Sequence, residues 1–153
     1  MATALSQHAS KADVVIMAAA VADFRPVASS PARVHEKLKK AKGIPEVVLE
    51  PTPDILAGLG ANKPAGQVLV GFAAETSDLV ANATSKLRSK NLDLIVANDV
   101  SKPGVGFQHD TNAVTMVHAD GTTTSISLTD KKAIAKAVVD TVVEILTTKL
   151  KNP

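Results

Sequence analysis

Three short apolar stretches, each with few polar interruptions, stand out along the chain. They are Asp13 to Ala20, Gln67 to Ala74 and Leu92 to Ala97. Nearly continuous apolar runs of this length are typical of strands that are covered on both faces of a parallel sheet. The pattern therefore predicts three buried, parallel strands.

Helical patterns separate these strands. Thr52 and Pro53 favour a helix start, with threonine as the N-cap and proline at the first helical position, and Ile55 and Leu56 follow. A second helix is predicted over about 77–90. Because strands and helices alternate, the expected fold is α/β, with a Rossmann-like, mostly parallel sheet and helices on both faces.

The last third of the chain has a different pattern. Asp120 and Gly121 favour a primed turn, so a β-hairpin is predicted over about 113–128. A single helix over about 130–149 follows it. Its apolar positions form one stripe, as expected for a helix that packs on a core. The stripe consists of Ile134, Ala137, Val138, Thr141, Val142, Ile145 and Leu146.

The N-terminal segment lacks a feature that nucleotide-binding folds usually have. Residues 1–12 are typical of the end of a helix that leads into the first strand, and no strand precedes them. No G-x-G-x-x-G or Walker sequence is present, although a glycine-rich turn after the first strand normally contacts the phosphates. We therefore expect residues 1–153 to be the C-terminal portion of one domain, with the N-terminal portion of the fold missing.

Composition excludes several classes of function. The chain has no cysteine and four scattered histidines, which argues against disulfides, a cysteine nucleophile and a structural zinc site. A net charge of +2 and 2% aromatic residues do not indicate a nucleic-acid surface. The longest apolar run, Val14 to Ala22, is too short to span a bilayer. A soluble, cytoplasmic protein with no nucleic-acid or membrane partner is expected.

Polar residues follow each predicted strand. Ligands of open α/β sheets bind outside the carboxyl ends of the strands, so these residues are the first candidates for a site. Asp23 lies just after the first strand, Glu75 and Thr76 after the second, and Asn98 and Asp99 after the third. Asp and Asn also end strands and form turns for purely local reasons. Asp23 is therefore either a cap or a ligand of Mg²⁺, which takes one or two carboxylates besides phosphate oxygens and water.

Two groups of lysines are candidates for binding an anion. Four lysines fall within six positions, at Lys37, Lys39, Lys40 and Lys42, in an irregular segment that is typical of a lid or a linker. Lys86 and Lys90 are four residues apart and so lie on one helical face. Each group is explained either by a bound polyphosphate or by an ordinary solvated surface.

Phe72 presents a similar choice. It lies in a predicted strand between small residues, Gly71 before it and Ala73 and Ala74 after it. An aromatic side chain in a strand is commonly part of the core. Small neighbours would also leave its ring open to a flat base.

Five blocks in this order resemble one family, phosphopantothenoylcysteine synthetase, also called phosphopantothenate-cysteine ligase, of coenzyme A biosynthesis. The resemblance extends from about Asp13 to Leu146. The blocks are Ala18-Ala19-Ala20-Val21-Ala22-Asp23-Phe24-Arg25-Pro26, Glu36-Lys37-Leu38-Lys39-Lys40, Pro53-Asp54-Ile55, Gly71-Phe72-Ala73-Ala74-Glu75-Thr76 and Lys90-Asn91-Leu92-Asp93-Leu94-Ile95-Val96-Ala97-Asn98-Asp99.

The resemblance implies a two-step ligation. CTP and 4'-phosphopantothenate give an acyl-cytidylate and pyrophosphate, and the amine of L-cysteine then displaces CMP. Mg²⁺ is the implied cofactor and CTP a co-substrate. The resemblance also implies a homodimer, in which the Asp120-Gly121 hairpin is a candidate interface element, and a fusion to or association with phosphopantothenoylcysteine decarboxylase. FMN would belong only to that decarboxylase domain, which has no counterpart in these residues.

Residue by residue, the resemblance assigns Lys37 as the catalytic lysine on a flexible flap, about 25–45, and Asp23 as the magnesium carboxylate. The implied nucleotide contacts are Met17, Ala18, Ala19, Asp23, Lys37, Pro53, Asp54, Ile55, Leu56, Phe72, Lys86 and Lys90.

The family's glycine-rich phosphate turn and its catalytic asparagine have no counterpart in this sequence. The chain is therefore expected to have reduced or no activity alone. The alternative is a non-catalytic α/β module for nucleotide binding or assembly. A dehydrogenase-like domain is disfavoured because the glycine fingerprint is absent.

Overall fold

A computed structural model of the chain describes residues 1–27, 47–101 and 109–151. The helices and strands are, in chain order, α1 (Ala2–His8), a 3₁₀ turn (Ala9–Lys11), β1 (Val14–Met17), β2 (Phe24–Pro26), β3 (Leu49–Pro51), α2 (Ile55–Ala61), β4 (Val68–Glu75), α3 (Leu79–Ser89), β5 (Leu94–Asp99), β6 (Thr111–His118), β7 (Thr123–Asp130) and α4 (Lys131–Lys151).

The chain divides into two units. The larger consists of Met1–Ala19 and Ile55–Pro153, and the smaller is Ala20–Asp54, which enters the sequence between β1 and α2. The larger unit contains a five-stranded sheet in the order β1-β4-β5-β6-β7. The smaller contains the two-stranded antiparallel pair β2-β3.

The sheet of the larger unit is parallel in its first three strands. β1 pairs with β4 and β4 pairs with β5 in parallel, whereas β6 and β7 are antiparallel. The three predicted parallel strands are confirmed, and so are the hairpin and the helix after it. The first strand is less buried than predicted, because β1 is the outermost strand of the described sheet and Ile16 is 41% exposed. Segment 1–12, predicted as the end of a helix, contains α1 and the 3₁₀ turn.

Alternate residues of the strands pack into two separate cores, one on each face of the sheet. On one face the side chains of α2 and α3 meet those of Leu69, Ala73 and Ile95. On the other face α4 packs on Val68 and Val70. Because successive strand residues point to opposite faces, a strand without polar interruption needs cover on both sides. This explains the continuous apolar runs.

Helix α4 begins with a side-chain cap and buries one stripe. The carboxylate of Asp130 accepts the backbone N–H groups of Lys132 and Ala133, both at 2.9 Å, which satisfies two amides of the first turn. Three residues of the predicted stripe are buried against the sheet, namely Ile134, Val138 and Val142. The helix is thus a packing element, as its periodicity predicted.

The turn of the hairpin differs from the prediction. A primed turn of type I′ needs a positive φ at both Asp120 and Gly121, yet only Gly121 has one, at +88°. The Gly121 N–H donates to the carbonyl of His118, and the His118 N–H donates to the carbonyl of Thr122. This is a three-residue loop with glycine at the left-handed bulge position.

Asp120 stabilises this turn through Thr122. Its carboxylate accepts the Thr122 hydroxyl at 2.7 Å and the Thr122 N–H at 2.8 Å. The hydroxyl bond, followed by the backbone bond, lowers the pKa of Asp120 from its ordinary value. Because the folded-state pKa is lowered, the ionised carboxylate stabilises the hairpin at neutral pH. That contribution is lost as the pH falls through the folded-state pKa.

A Thr122→Val substitution tests this arrangement. Removing the hydroxyl while keeping the N–H should raise the pKa of Asp120 towards its ordinary value without fully reaching it. The pKa is measured by following the Asp120 carboxyl carbon in an NMR titration. A Thr129→Val variant is the matched control, because Thr129 lies at the far end of β7, where it pairs with Asn112. An unchanged pKa in Thr122→Val would contradict the assigned cause.

The predicted start of the first helix is also corrected. Helix α2 begins at Ile55, not at Pro53. Thr52 instead donates its hydroxyl to the carbonyl of Ala22 and its N–H to the carbonyl of Asp23. These bonds join the residue after β3 to the residues before β2, so Thr52 extends the β2-β3 pairing and does not cap α2.

Among the helices that the structure describes, none combines the length and apolar character needed to cross a membrane.

Candidate functional site

The carboxyl ends of three parallel strands meet at one edge of the larger unit. β1 stops at Met17, which pairs with Gly71, whereas β4 and β5 continue in register to Glu75 and Asp99. Strand β4 therefore extends four residues beyond the register at which β1 ends. Ala18 and Ala19 follow β1 directly at this step. Ligands of open α/β sheets bind outside the carboxyl ends of the strands, so this edge is the candidate site.

Phe72 is the exposed aromatic residue of this edge. It lies on the same face of β4 as Val68 and Val70, which α4 covers, but 41% of Phe72 is exposed. Ala74, two residues further on that face, is exposed too. The sequence left open whether Phe72 is a core residue or has a ring open to a ligand. The structure argues against a core residue, because Phe72 is not part of either buried core. Its open face can take a flat apolar group.

Glu75 and Lys86 form an ion pair at the end of β4. The Lys86 ammonium lies 2.7 Å from Oε1 of Glu75. The Glu75 side chain is 10% exposed and that of Lys86 47% exposed, so the lysine lies on the solvent side of the carboxylate. Asn82, one helical turn before Lys86, approaches the other carboxylate oxygen at 3.4 Å. Its amide also donates to the carbonyl of Ser77 at 2.9 Å.

This pair was not predicted as such. The sequence placed Glu75 at a strand end and Lys86 on a helix beside Lys90. It did not show that the lysine has a carboxylate neighbour within the protein. Asn82 was missed altogether. The available signal was the four-residue spacing of Asn82 and Lys86, which puts both on one face of α3.

Lys90 lies just beyond the C-terminal end of α3, whose last turn contains Lys86. It follows Ser89, the last residue of the helix, and its backbone N–H donates to the carbonyl of Lys86. Its carbonyl lies close to Gly60 of α2. Lys86 and Lys90 are thus one turn apart, as predicted, and Lys90 is further from the first turn of α3.

Ile55 and Leu56 form the first turn of α2. Leu56 is partly buried and packs against the core that α2 and α3 share with the sheet. Its side chain is therefore a packing element. A ligand contact at this position would use backbone groups.

In the smaller unit, β2 and β3 hold Asp23 at a defined point. Phe24 pairs with Pro51, and the Arg25 guanidinium donates to Glu50 at 2.8 Å across the two strands. The Asp23 backbone carbonyl accepts the Thr52 N–H. The Asp23 carboxylate is exposed and makes no hydrogen bond or ion pair to the residues that the structure describes. Pro53 and Asp54, which end this unit, are exposed.

Lys37 and the other lysines of its segment lie outside the described residues, so their predicted role stays a prediction. Within 1–27, 47–101 and 109–151, no three His, Asp or Glu side chains converge on a point that could hold a metal ion. A single carboxylate such as Asp23 fits Mg²⁺ only where phosphate oxygens and water complete the octahedral shell. Asp23 therefore fits an Mg²⁺ ion that binds together with a polyphosphate, which supplies further oxygen ligands.

Comparison with known proteins gives one consistent result. The model of the family "DNA/pantothenate metabolism flavoprotein C-terminal domain" matches residues 1–146. The chain is 51% identical over 109 residues to the coenzyme A biosynthesis bifunctional protein CoaBC of Bacillus subtilis (strain 168), covering 71% of this chain and 26% of that protein. It is 43% identical over 127 residues to a cysteine/cysteine sulfinic acid decarboxylase of an unknown prokaryotic organism, covering 83% of this chain and 34% of that protein.

The fold agrees with a solved relative. The crystal structure of the C-terminal domain of a coenzyme A biosynthesis bifunctional protein CoaBC matches with a TM-score of 0.73 and 37% identity, covering 96% of this chain and 61% of that one. The chain spans about a third or less of the two curated relatives above. The likeness thus extends over nearly all of this chain and over part of each relative.

Proposed function

The chain belongs to the DNA/pantothenate metabolism flavoprotein C-terminal domain family, and from this premise we propose that it is part of a CTP-dependent phosphopantothenate-cysteine ligase. The observation that carries the proposal is the family match over residues 1–146, which contains every residue implied as a nucleotide contact. We place the enzyme in the cytoplasm, as a homodimer that acts with a decarboxylase. One relative is named a decarboxylase, but the chain covers only 34% of it and 26% of the bifunctional relative.

The proposed reaction forms and breaks one bond in each of two steps. The carboxylate of 4'-phosphopantothenate attacks the α-phosphorus of CTP, the bond from that phosphorus to the bridging oxygen breaks, and pyrophosphate leaves. The amine of L-cysteine then attacks the acyl carbon, the bond from that carbon to the phosphate oxygen breaks, and CMP and one proton of the amine are released. The first step brings a carboxylate towards a polyanion. Cations that neutralise the phosphates therefore contribute most to catalysis.

Lysines and a bound Mg²⁺ are proposed to supply this neutralisation. Lys86 and Lys90 would bind phosphate oxygens, Lys86 with the ammonium that faces solvent beside Glu75. Asp23 would hold Mg²⁺, which offsets phosphate charge when bound. Lys37 is the proposed catalytic lysine, acting on the triphosphate as the flap closes.

The remaining contacts would position the nucleotide. We propose that backbone groups of Met17, Ala18 and Ala19 and of residues 53–56 select cytosine, with Phe72 as an apolar wall. The exposed ring of Phe72 and the packing role of the Leu56 side chain support this division between wall and backbone. A backbone-lined site discriminates bases through hydrogen bonds, because an unpaired polar group would be costly to bury.

Calorimetry with CTP and Mg²⁺ tests the proposal. The chain should bind CTP saturably, and Lys86→Gln should weaken binding by about tenfold, as expected for the loss of one charged hydrogen bond. Lys136→Gln is the matched control, because Lys136 is an exposed lysine of α4 paired with Asp140. It should bind CTP as the unchanged chain does. No saturable heat at millimolar CTP would contradict the proposal, and would favour an assembly module without nucleotide.

A further inference from the structure

We propose that Glu75 is a positioning residue, which holds the Lys86 ammonium at the carboxyl end of β4 in the place where it meets a phosphate group. The inference rests on the proposed function, since it concerns the same anion site. It adds a residue that takes no part in the expected set of contacts. Glu75 would act through Lys86 and would not touch the ligand.

The Glu75 backbone and carboxylate are both held in place. The residue pairs with Asp99 of β5, and its carbonyl accepts the N–H of Val100 at 3.0 Å. Oε2 is approached by the amide of Asn82, which is itself bonded to the carbonyl of Ser77. The carboxylate therefore has a fixed position at the strand end.

The Lys86 side chain requires a neighbouring group to hold its ammonium in one position. Its side chain is long and half-exposed, and ordering it for a ligand costs conformational entropy. The bond to Oε1 of Glu75 orders the ammonium before any ligand arrives. A lysine ammonium has three donors, and Glu75 uses one of them, so the others can reach a phosphate.

Electrostatics alone predicts the opposite effect of Glu75. A carboxylate 2.7 Å from the ammonium cancels much of its charge and repels an anion. If Glu75 contributed only charge, replacing it with glutamine should tighten the binding of a phosphate. If Glu75 positions Lys86, the same replacement should weaken binding. The sign of the change therefore separates the two roles.

The experiment measures binding of inorganic tripolyphosphate and of CTP with Mg²⁺ by calorimetry at fixed ionic strength. We expect Glu75→Gln, which keeps the side-chain shape, to weaken tripolyphosphate binding by about fivefold. Glu75→Asp, which keeps the charge but withdraws the carboxylate, should also weaken it. In a Lys86→Gln background, Glu75→Gln should have no further effect. Asp140→Asn is the matched control, because it removes one carboxylate from an exposed ion pair of α4.

The two probes separate this inference from the proposed function. Tripolyphosphate binding that weakens in Glu75→Gln would support the inference. If CTP also bound no more tightly than tripolyphosphate does, the result would count against a CTP enzyme. Saturable CTP binding that is unchanged or tightened in Glu75→Gln, or unchanged in Glu75→Asp, would overturn the inference and leave the function standing. An unmodified chain that binds neither probe would overturn the inference as well. Thermal unfolding is measured for each variant, to establish that it is folded at the temperature of the binding measurements.

Discussion

Gly60→Ala is expected to lower the free energy of unfolding by about 3 kcal/mol or more, at or beyond the upper end of the cost of overpacking. A Cβ added at Gly60 would lie 1.9 Å from the carbonyl oxygen of Lys90 and 2.8 Å from its carbonyl carbon. Both atoms are backbone, so no rotamer change can make room. Asn91, which follows, has a φ of +51° and donates its side-chain amide to the Gly60 carbonyl. The end of α2 and the end of α3 must therefore separate.

Urea unfolding followed by circular dichroism measures this loss. Gly58→Ala is the matched control, because Gly58 lies in the same helix and a Cβ there would meet no atom within 4 Å. It should leave stability unchanged or raise it by about 0.5–1 kcal/mol, from the higher helix propensity of alanine. Equal midpoints for Gly60→Ala and the unmodified chain would show that the two helices do not approach as closely as described.

Much of the fold could be predicted from the sequence because its signals are local. A strand covered on both faces needs apolar residues at successive positions, and residues 68–71 and 94–97 are apolar and buried throughout. Helix α4 was predicted from an apolar stripe, because three of its buried residues are spaced by four. These patterns depend on periodicity alone, and the tertiary structure did not override them.

The errors have a different origin. Thr52 resembles a helix cap in sequence, but its hydroxyl partner, the carbonyl of Ala22, is 30 residues away. Asp120 and Gly121 favour two kinds of hairpin loop, and the bonds around His118 and Thr122 determine which one forms. In both cases the local structure depends on hydrogen-bond partners outside the one or two residues on which the prediction was based.

The sequence predicted a set of residues for the site. It did not predict which charged groups of the site lie next to one another. Phe72 and Lys86 were named from the resemblance, and the structure adds that one is exposed and the other is paired with Glu75. The lysine pair was interpreted as a shared anion site because like charges repel on one helical face. A carboxylate eleven residues earlier in the chain relieves part of that repulsion. Spacing within one element cannot show a partner on another.

No role was predicted for Asp93, which was named only within one family block. Its buried carboxylate lies 3.1 Å from the Lys63 ammonium and 2.6 Å from that of Lys149, and it accepts the N–H of Leu69 at 2.7 Å. Lys149, near the end of α4, also donates to the carbonyl of Gln67. One carboxylate thus joins α4 and the loop after α2 to the first residues of β4 and β5.

Asp93→Asn should lower the free energy of unfolding by about 3 kcal/mol, the lower end of the range for removing one partner of a buried ion pair. Asparagine can still accept the Leu69 N–H, so the loss comes from leaving two ammonium groups without a counter-charge. Lys63 is 11% exposed and Lys149 29%, and access of Lys149 to water limits the loss. Urea unfolding measures it, with Asp140→Asn as a control expected to change stability by less than about 1 kcal/mol.

The same variant separates stability from binding, because Asp93 precedes β5 and bonds to Leu69 at the beginning of β4. These are the amino ends of the parallel strands, opposite the edge where Phe72, Glu75 and Lys86 lie. In conditions where the variant stays folded, it should bind Mg²⁺-CTP with the affinity of the unmodified chain. A parallel loss of affinity would mean that the end of α4 is coupled to the site, and that ordering of the whole sheet, beyond the Glu75–Lys86 pair, controls phosphate binding.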